Sequence, residues 1–252
     1  MSDFELSVRA NRAASCKFRD ADAYQYATRE AVARMVREHN PKRVILLVHG
    51  FSSKPDRTER AYEHIERTWG ANLTDDAVVG AYHWPSSLAY SGPVAYHAAR
   101  RRAKEAGRRL AVLIDAISDK GIDVSIMGHS LGTVVMGHAA VCLTDNPHLY
   151  VNKWDKAVFQ AGDARLSMYR ADTEYGQAMR KLGIDVRNYY AKSDSVLQIS
   201  KLTLNGKRIG RHALIQPGWD NADAQVMHGG RVRHTTYKKS EPILMDSLTF
   251  LQ

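Results

Sequence analysis

The stretch VSIMGHSLGTVVMGHAAV, residues 124–141, decides the fold of this 252-residue chain. Its first four residues, Val124–Met127, extend a short apolar segment that begins at Ile122 and reads as a buried strand. From about residue 131 to 144 the chain is again apolar, rich in small residues, and reads as a helix. Gly128-His129-Ser130-Leu131-Gly132 joins the two. A strand that becomes a helix over so few residues needs a sharp bend. The positions beside Ser130 must be nearly free of side chain to avoid clashes, and Gly128 and Gly132 meet that need. The bend projects the Ser130 hydroxyl from the carboxyl end of the strand. The following helix aims its free N–H groups and positive dipole end at the same space. In this strand–turn–helix setting, G-x-S-x-G is the pattern of an exposed serine nucleophile.

Outward from that bend, strands and helices alternate. Upstream, Arg43-Val44-Ile45-Leu46-Leu47-Val48 is apolar on both faces, as a central strand of a parallel sheet requires. Before it, residues 21–38 place Tyr24, Ala27, Ala31, Met35 and Val36 at helical spacing, and Asn40-Pro41 ends the helix. After it come the loop HGFSSKPD, a helix near 58–69, a strand over Ala77–Trp84 and a long helix over 94–118. Downstream, Lys156–Gln160 and Asp185–Tyr190 read as strands with a helix over Thr173–Leu182 between them. Glu241–Leu251 is a helix with Ile243, Leu244, Leu248 and Leu251 on one face. Residues 201–233 are rich in Gly, Asn and Asp and read as short strands mixed with loops. Residues 1–20 form a weakly patterned N-terminal extension. The alternation predicts one α/β domain over residues 1–252: a doubly wound, mostly parallel sheet with helices on both faces.

Composition narrows the function. The chain carries 36 Lys+Arg against 27 Asp+Glu, a net charge of +9, which suits nucleic acid, an anionic surface or an acidic substrate without choosing among them. Arg100, Arg101, Arg102, Lys104, Arg108 and Arg109 lie on the long helix, whose buried face continues through Leu110, Val112 and Leu113. They read as a solvated face, with at most a weak interaction with anionic surfaces. No helix-turn-helix, zinc-finger or RNP-like pattern appears, so nucleic acid is not expected as a partner. Cys16 and Cys142 are too few for a disulfide framework or a cysteine zinc site, and Cys142 reads as a buried thiol. There is no H-E-x-x-H, no phosphate-binding G-x-x-x-x-G-K-[ST] and no G-x-G-x-x-G opening a helix, so neither a metal nor another cofactor is expected. The N-terminus lacks the apolar core of a signal peptide, and no stretch approaches the ~18 apolar residues of a transmembrane segment; a cytoplasmic location is the expectation.

Two motifs together carry a resemblance. VILLVHGF at residues 44–51 and IMGHSLGT at residues 126–133 resemble the α/β-hydrolase superfamily of serine esterases and lipases. In particular the chain is similar to small bacterial lipase-like hydrolases of unknown function. The likeness spans residues 41–251, specific at the two motifs and looser elsewhere. It implies an α/β-hydrolase fold and a Ser–acid–His triad in that chain order, with Ser130 as the nucleophile. It also implies an oxyanion hole built from the amides of Phe51 and Leu131. His49 is expected to brace its loop rather than to react.

The superfamily places its acid in a loop after the penultimate core strand. Asp194, in Ala191-Lys192-Ser193-Asp194-Ser195-Val196-Leu197, stands there. Asp163, in Gln160-Ala161-Gly162-Asp163, is the alternative, since some lipase-like members resemble that arrangement. The histidine follows the last strand on the approach to the final helix. His234, in Arg233-His234-Thr235-Thr236-Tyr237, fits better than His228, in Val226-Met227-His228-Gly229-Gly230, and His212 is a distant third. The other histidines read as surface or packing residues.

The implied chemistry is hydrolysis of a small-molecule ester or other acyl substrate through an acyl-enzyme. Thioester or amide cleavage is open to the same residues. The alternative is a non-catalytic scaffold that binds a ligand or partner, because fold does not dictate function. Residues 161–184 have room for a loop and one helix, so no large cap domain is expected and the cleft should be open. Its walls are expected from residues 84–90, Leu202, Leu204, Ile215 and Trp219.

Overall fold

The computed structural model describes residues 4–7, 21–51, 55–86, 92–146, 153–204 and 206–252. Its strands are β1 (Phe4–Ser7), β2 (Arg43–Val48), β3 (Ala77–His83), β4 (Asp123–His129), β5 (Trp154–Gln160), β6 (Asp185–Tyr190) and β7 (Asp220–Asp223). Its helices are α1 (Ala21–His39), α2 (Pro55–Trp69), α3 (Pro93–Ser118), α4 (Gly132–Asp145), α5 (Glu174–Lys181), α6 (Ser195–Leu204), α7 (Ala224–His228) and α8 (Glu241–Leu251). The strands form one seven-stranded sheet in the order β1-β3-β2-β4-β5-β6-β7, and every pairing is parallel.

The apolar run of β2 shows why the sheet is doubly wound. Side chains alternate between faces of a strand. Val44, Leu46 and Val48 enter a core with Val124, Ile126, Phe159 and helices α1, α3, α4 and α5. Ile45 and Leu47 enter a second core with Met127, Val158, Tyr189 and the apolar faces of α2 and α8. A strand buried on both faces has no polar position to spare, hence the unbroken VILLV. At the amino edge of the sheet, Arg43 reaches the two carboxylate oxygens of Asp155 at 2.7 and 2.8 Å and the Ser125 hydroxyl at 2.6 Å, tying β2, β4 and β5 together.

Phe4–Ser7 and the segment after Asp194 depart from the sequence reading, and β7 is a short strand of the kind expected within residues 201–233. Phe4–Ser7, within the weakly patterned opening segment, pairs with β3 as an edge strand. β7, Asp-Asn-Ala-Asp, has no β-branched residue and exists through its register with β6, Arg187 opposite Asp220 to Tyr190 opposite Asp223. The segment after Asp194 is helical, as α6. Strand β4 also runs to His129, two residues past its expected end, because Gly128 and His129 pair with Phe159 and Gln160.

The basic residues of α3 divide. Arg101, Arg102 and Lys104 are exposed, whereas Arg108 and Arg109 reach back to Glu105 at 3.0 and 3.2 Å. Cys142 is half-buried, and burial raises its pKa. Cys16, residues 87–90 and His148 lie outside the described residues, as do the side chains of Leu202 and Leu204. Among the described residues, no helix is long and apolar enough to cross a membrane.

Helices α3 and α4 pack closely at Gly107, where an added Cβ would run into the Cβ of His138. His138 Nε2 and the Tyr175 hydroxyl share a hydrogen bond at 2.7 Å. Burial, helped by Lys104, Arg100 and Arg108, pushes the His138 pKa down to about 4. The unfolded chain therefore takes up this proton first as the pH falls. The His138 contribution is complete above pH 6.5 and is lost between pH 6.5 and 4. Allowing for the ring's partial exposure, the loss is about 2 kcal/mol. In denaturant melts, the stability advantage of the wild type over His138→Gln should shrink by about that amount on going from neutral pH to pH 4. An advantage independent of pH would contradict this account.

Candidate active site

Ser130 adopts φ +55°, a left-handed conformation that few L-residues take. Its backbone is pinned on both sides. The Ser130 amide donates to the Gln160 carbonyl at 3.0 Å, and its carbonyl accepts from the Thr133 hydroxyl at 2.8 Å, the Thr133 amide at 3.2 Å and the Asp163 amide at 3.0 Å. Two glycines let the neighbouring strand end come in. A Cβ on Gly132 would collide with the Val48 carbonyl, and a Cβ on Gly50 would sit 2.7 Å from the Ser130 Cβ. The ends of β2 and β4 thus meet where the strand order reverses, the place where ligands bind in open parallel sheets.

His49 braces the β2 loop, as its sequence context suggested. Its ring stacks on Trp84, its Nε2 accepts the Trp84 amide at 3.1 Å, and its Nδ1 donates to the Gly50 carbonyl at 2.9 Å. The indole N–H of Trp84 closes the loop on the His49 carbonyl at 2.7 Å.

The structure brings Ser130, His234 and Asp194 together. His234 Nε2 lies 2.9 Å from Ser130 Oγ, and His234 Nδ1 lies 2.9 Å from Asp194 Oδ2. Asp194 is fully buried and caps α6: its Oδ1 accepts from the Leu197 amide at 3.1 Å, leaving Oδ2 for the histidine. The two loops are cross-braced, since the Ser193 hydroxyl donates to the Val232 carbonyl at 2.8 Å. His129 adds a third brace. Its Nε2 donates to the His234 carbonyl at 2.8 Å and its ring lies 4.9 Å from that of His234. Burial, followed by the Lys238 charge, holds the His129 pKa well below its ordinary value, so the ring stays neutral.

The alternative residues have other hydrogen-bond partners. His228 Nδ1 faces the Ser240 hydroxyl at 3.0 Å, at the start of α8. The Asp163 carboxylate lines a cavity together with Ser130 and His234, but its hydrogen bonds go to other partners. It accepts from the hydroxyls of Tyr96 and Ser200, the latter at 2.6 Å, and pairs with Arg208 Nε at 3.4 Å. Burial raises its pKa against these stabilising neighbours. Phe51 follows the β2 loop and Leu131 precedes α4, and among the described residues neither amide donates within the protein.

Two cavities open at Ser130 and His234. One, of about 220 Å³, runs toward α2 past His129, Arg57 and Lys238. The other, of about 370 Å³, runs between α3 and α6 and is walled by Phe51, Pro93, Tyr96, Val196 and Ile199. The expected walls are corrected here. Trp84 is buried behind the His49 loop, and Trp219 packs on Tyr169. Ile215 lines a separate cavity beside Leu166 and Gln216. The missed wall residues are Val196 and Ile199 on α6, one turn apart after a capping aspartate; the expected Leu202 and Leu204 lie on the same helix. Between β5 and β6 there is only a 3-10 turn (Leu166–Tyr169) and α5, with no inserted cap. Among the described residues no group of three or more His, Cys, Asp or Glu is placed to hold a metal ion.

A serine on a strained strand–helix turn at the carboxyl edge of a doubly wound parallel sheet, against histidine and aspartate from later loops, defines the α/β-hydrolase class. Residues 24–246 match the family described as alpha/beta hydrolase of unknown function (DUF900), and the chain belongs to that family. No curated protein matches the sequence. Among solved structures, it is similar to the lin2722 gene product of Listeria innocua, with 11% identity and a TM-score of 0.49 over 84% of this chain and 94% of that one. It is also similar to an esterase of Pyrobaculum calidifontis, with 12% identity and a TM-score of 0.45 over 91% and 90% of the respective chains.

The Asp163 site yields a stability prediction. Asp163→Asn removes the charge opposite Arg208, which is fully buried. Breaking a buried pair from one side costs about 3–5 kcal/mol. Equilibrium unfolding of Asp163→Asn should show a loss of that order, and wild-type stability would refute the structural role given to this pair.

Proposed function

We propose that this chain is a serine hydrolase that cleaves carboxylic esters, with Ser130 as nucleophile, His234 as general base and acid, and Asp194 as the group that orients the imidazole. The observation that carries this reading is the unbroken hydrogen-bonded line from Ser130 Oγ through His234 to Asp194, 2.9 Å at each link.

The steps follow from that line. His234 Nε2 accepts the Ser130 proton as Oγ bonds to the acyl carbon, and the carbonyl electron pair moves onto oxygen. The amides of Phe51 and Leu131 donate to that oxyanion. Donors already aimed at developing charge lower the barrier without reorganising. The intermediate then expels the alcohol, which leaves with the proton from His234. Water attacks the acyl-enzyme with His234 again as base, releasing the acid and restoring Ser130. Throughout, Asp194 accepts a hydrogen bond from Nδ1–H, fixes the tautomer and stabilises the imidazolium. The Leu197 amide and His129 matter indirectly: one fixes the carboxylate, the other fixes the backbone that carries the imidazole.

A fluorophosphonate probe should label the wild type and fail to label Ser130→Ala. Asp194→Asn should lower kcat on a simple phenyl ester by about 10⁴-fold, the scale for losing the correct imidazole tautomer. A wild type that resists labelling, or equal labelling of Ser130→Ala, would overturn the proposal.

A further inference from the structure

The two cavities that meet at Ser130 differ in charge. The cavity toward α2 has Arg57 and Lys238 as its charged lining residues and no carboxylate among the described ones. Arg57 stands exposed at its mouth, whereas Lys238 is half-buried inside, four residues past His234 on the same turn. Among the described residues neither cation forms an ion pair. Among the described residues Arg100 and Arg211 are also half-buried without a carboxylate, but neither lines this cavity, and three other partly or fully buried cations are paired. Arg43 has Asp155, Arg187 has Asp246 at 2.9 Å, and Arg208 has Asp163. A partly desolvated ammonium without a counter-charge is costly, and burial lowers its pKa. An anionic group on a ligand would offset that cost. The neighbouring His129 is held neutral, so it does not compete for the anion as a second charge, and no acid faces the cavity to repel it.

The cavity between α3 and α6 has the opposite character. Its walls are apolar, and Val196 and Ile199 stand 47% and 64% exposed on α6, more apolar surface than a solvent-facing helix needs. Its polar floor is the Asp163 carboxylate with the Tyr96 and Ser200 hydroxyls; Arg208 pairs with that carboxylate, so the floor offers an anion no unpaired cation. Ser130 therefore stands between an apolar cavity and one whose charged lining residues are cations.

We infer that the substrate is a two-sided ester. An apolar chain on one side of the scissile bond lies between α3 and α6. A carboxylate or phosphate on the other side lies in the smaller cavity against Lys238, with Arg57 at its mouth. This rests on the serine-hydrolase reading, and hydrolysis consumes one water to give one acid and one alcohol. Lys238 is then a specificity-determining residue for that reaction.

The test compares kcat/KM for phenyl hexanoate with two anionic counterparts, each corrected for its intrinsic reactivity toward hydroxide. 3-Carboxyphenyl hexanoate carries the charge on the alcohol side, and monophenyl adipate carries it on the acyl side. One of the two should exceed the neutral ester by about tenfold or more, the size of a hydrogen bond to a charged group. That ratio should fall to near unity in Lys238→Met and be largely retained in Lys238→Arg. If the wild type favours neither anion, or if Lys238→Met keeps the ratio, the inference is wrong, while turnover of the neutral ester and labelling of Ser130 leave the hydrolase reading standing. Failure of Ser130 labelling overturns both.

Discussion

Everything at the carboxyl edge of this sheet depends on one backbone approach. The ends of β2 and β4 come so close that position 132 has no room for a side chain below the Val48 carbonyl, and position 50 has none beside Ser130. That closeness brings the loop of Gly50 and Phe51 against the bend at which Ser130 takes positive φ. The strain persists because four hydrogen bonds on one residue's backbone over-determine it. One of them comes from Asp163, so the loop after β5 also helps to hold the bend.

The remaining groups reach Ser130 from far along the chain, and buried contacts rather than local sequence bring them there. Val232 and Tyr237 are buried on either side of His234 and anchor its turn. Ser193 bonds that turn to the Asp194 loop, and His129 bonds it to the end of β4. The imidazole is therefore held from two sides before any ligand arrives. Catalytic geometry needs that kind of support, because small displacements of a base cost rate steeply.

What the sequence shows follows from this. The central strands are legible in it because burial on both faces demands an unbroken apolar run. Ser130 and the His49-Gly50-Phe51 loop are legible because a close backbone approach demands glycine. The position of β7 is not, since Asp220–Asp223 is an edge strand whose residues have little intrinsic preference for one. Nor does sequence alone separate Asp194 from Asp163. Each follows a core strand in a short loop and each is buried; they differ in which way the carboxylate points. Asp194 meets His234, whereas Asp163 meets Tyr96, Ser200 and Arg208. The resemblance favoured Asp194 by its place in the order of strands. Lys238 drew no notice, because its setting arises from a turn that folds it back beside His129.

The capping of α6 by Asp194 has a mechanical consequence. The same carboxylate holds His234 with one oxygen and the first turn of α6 with the other, and that turn carries Val196, with Ile199 following on the cavity wall. Pocket shape and imidazole alignment thus share a lever. Swapping side chains on the exposed face of α6 reshapes the wall and leaves the pivot alone, but sliding or re-pitching the helix drags the aspartate with it. Divergence among relatives that keep this cap should run through the identity of the wall residues and spare the position of the helix.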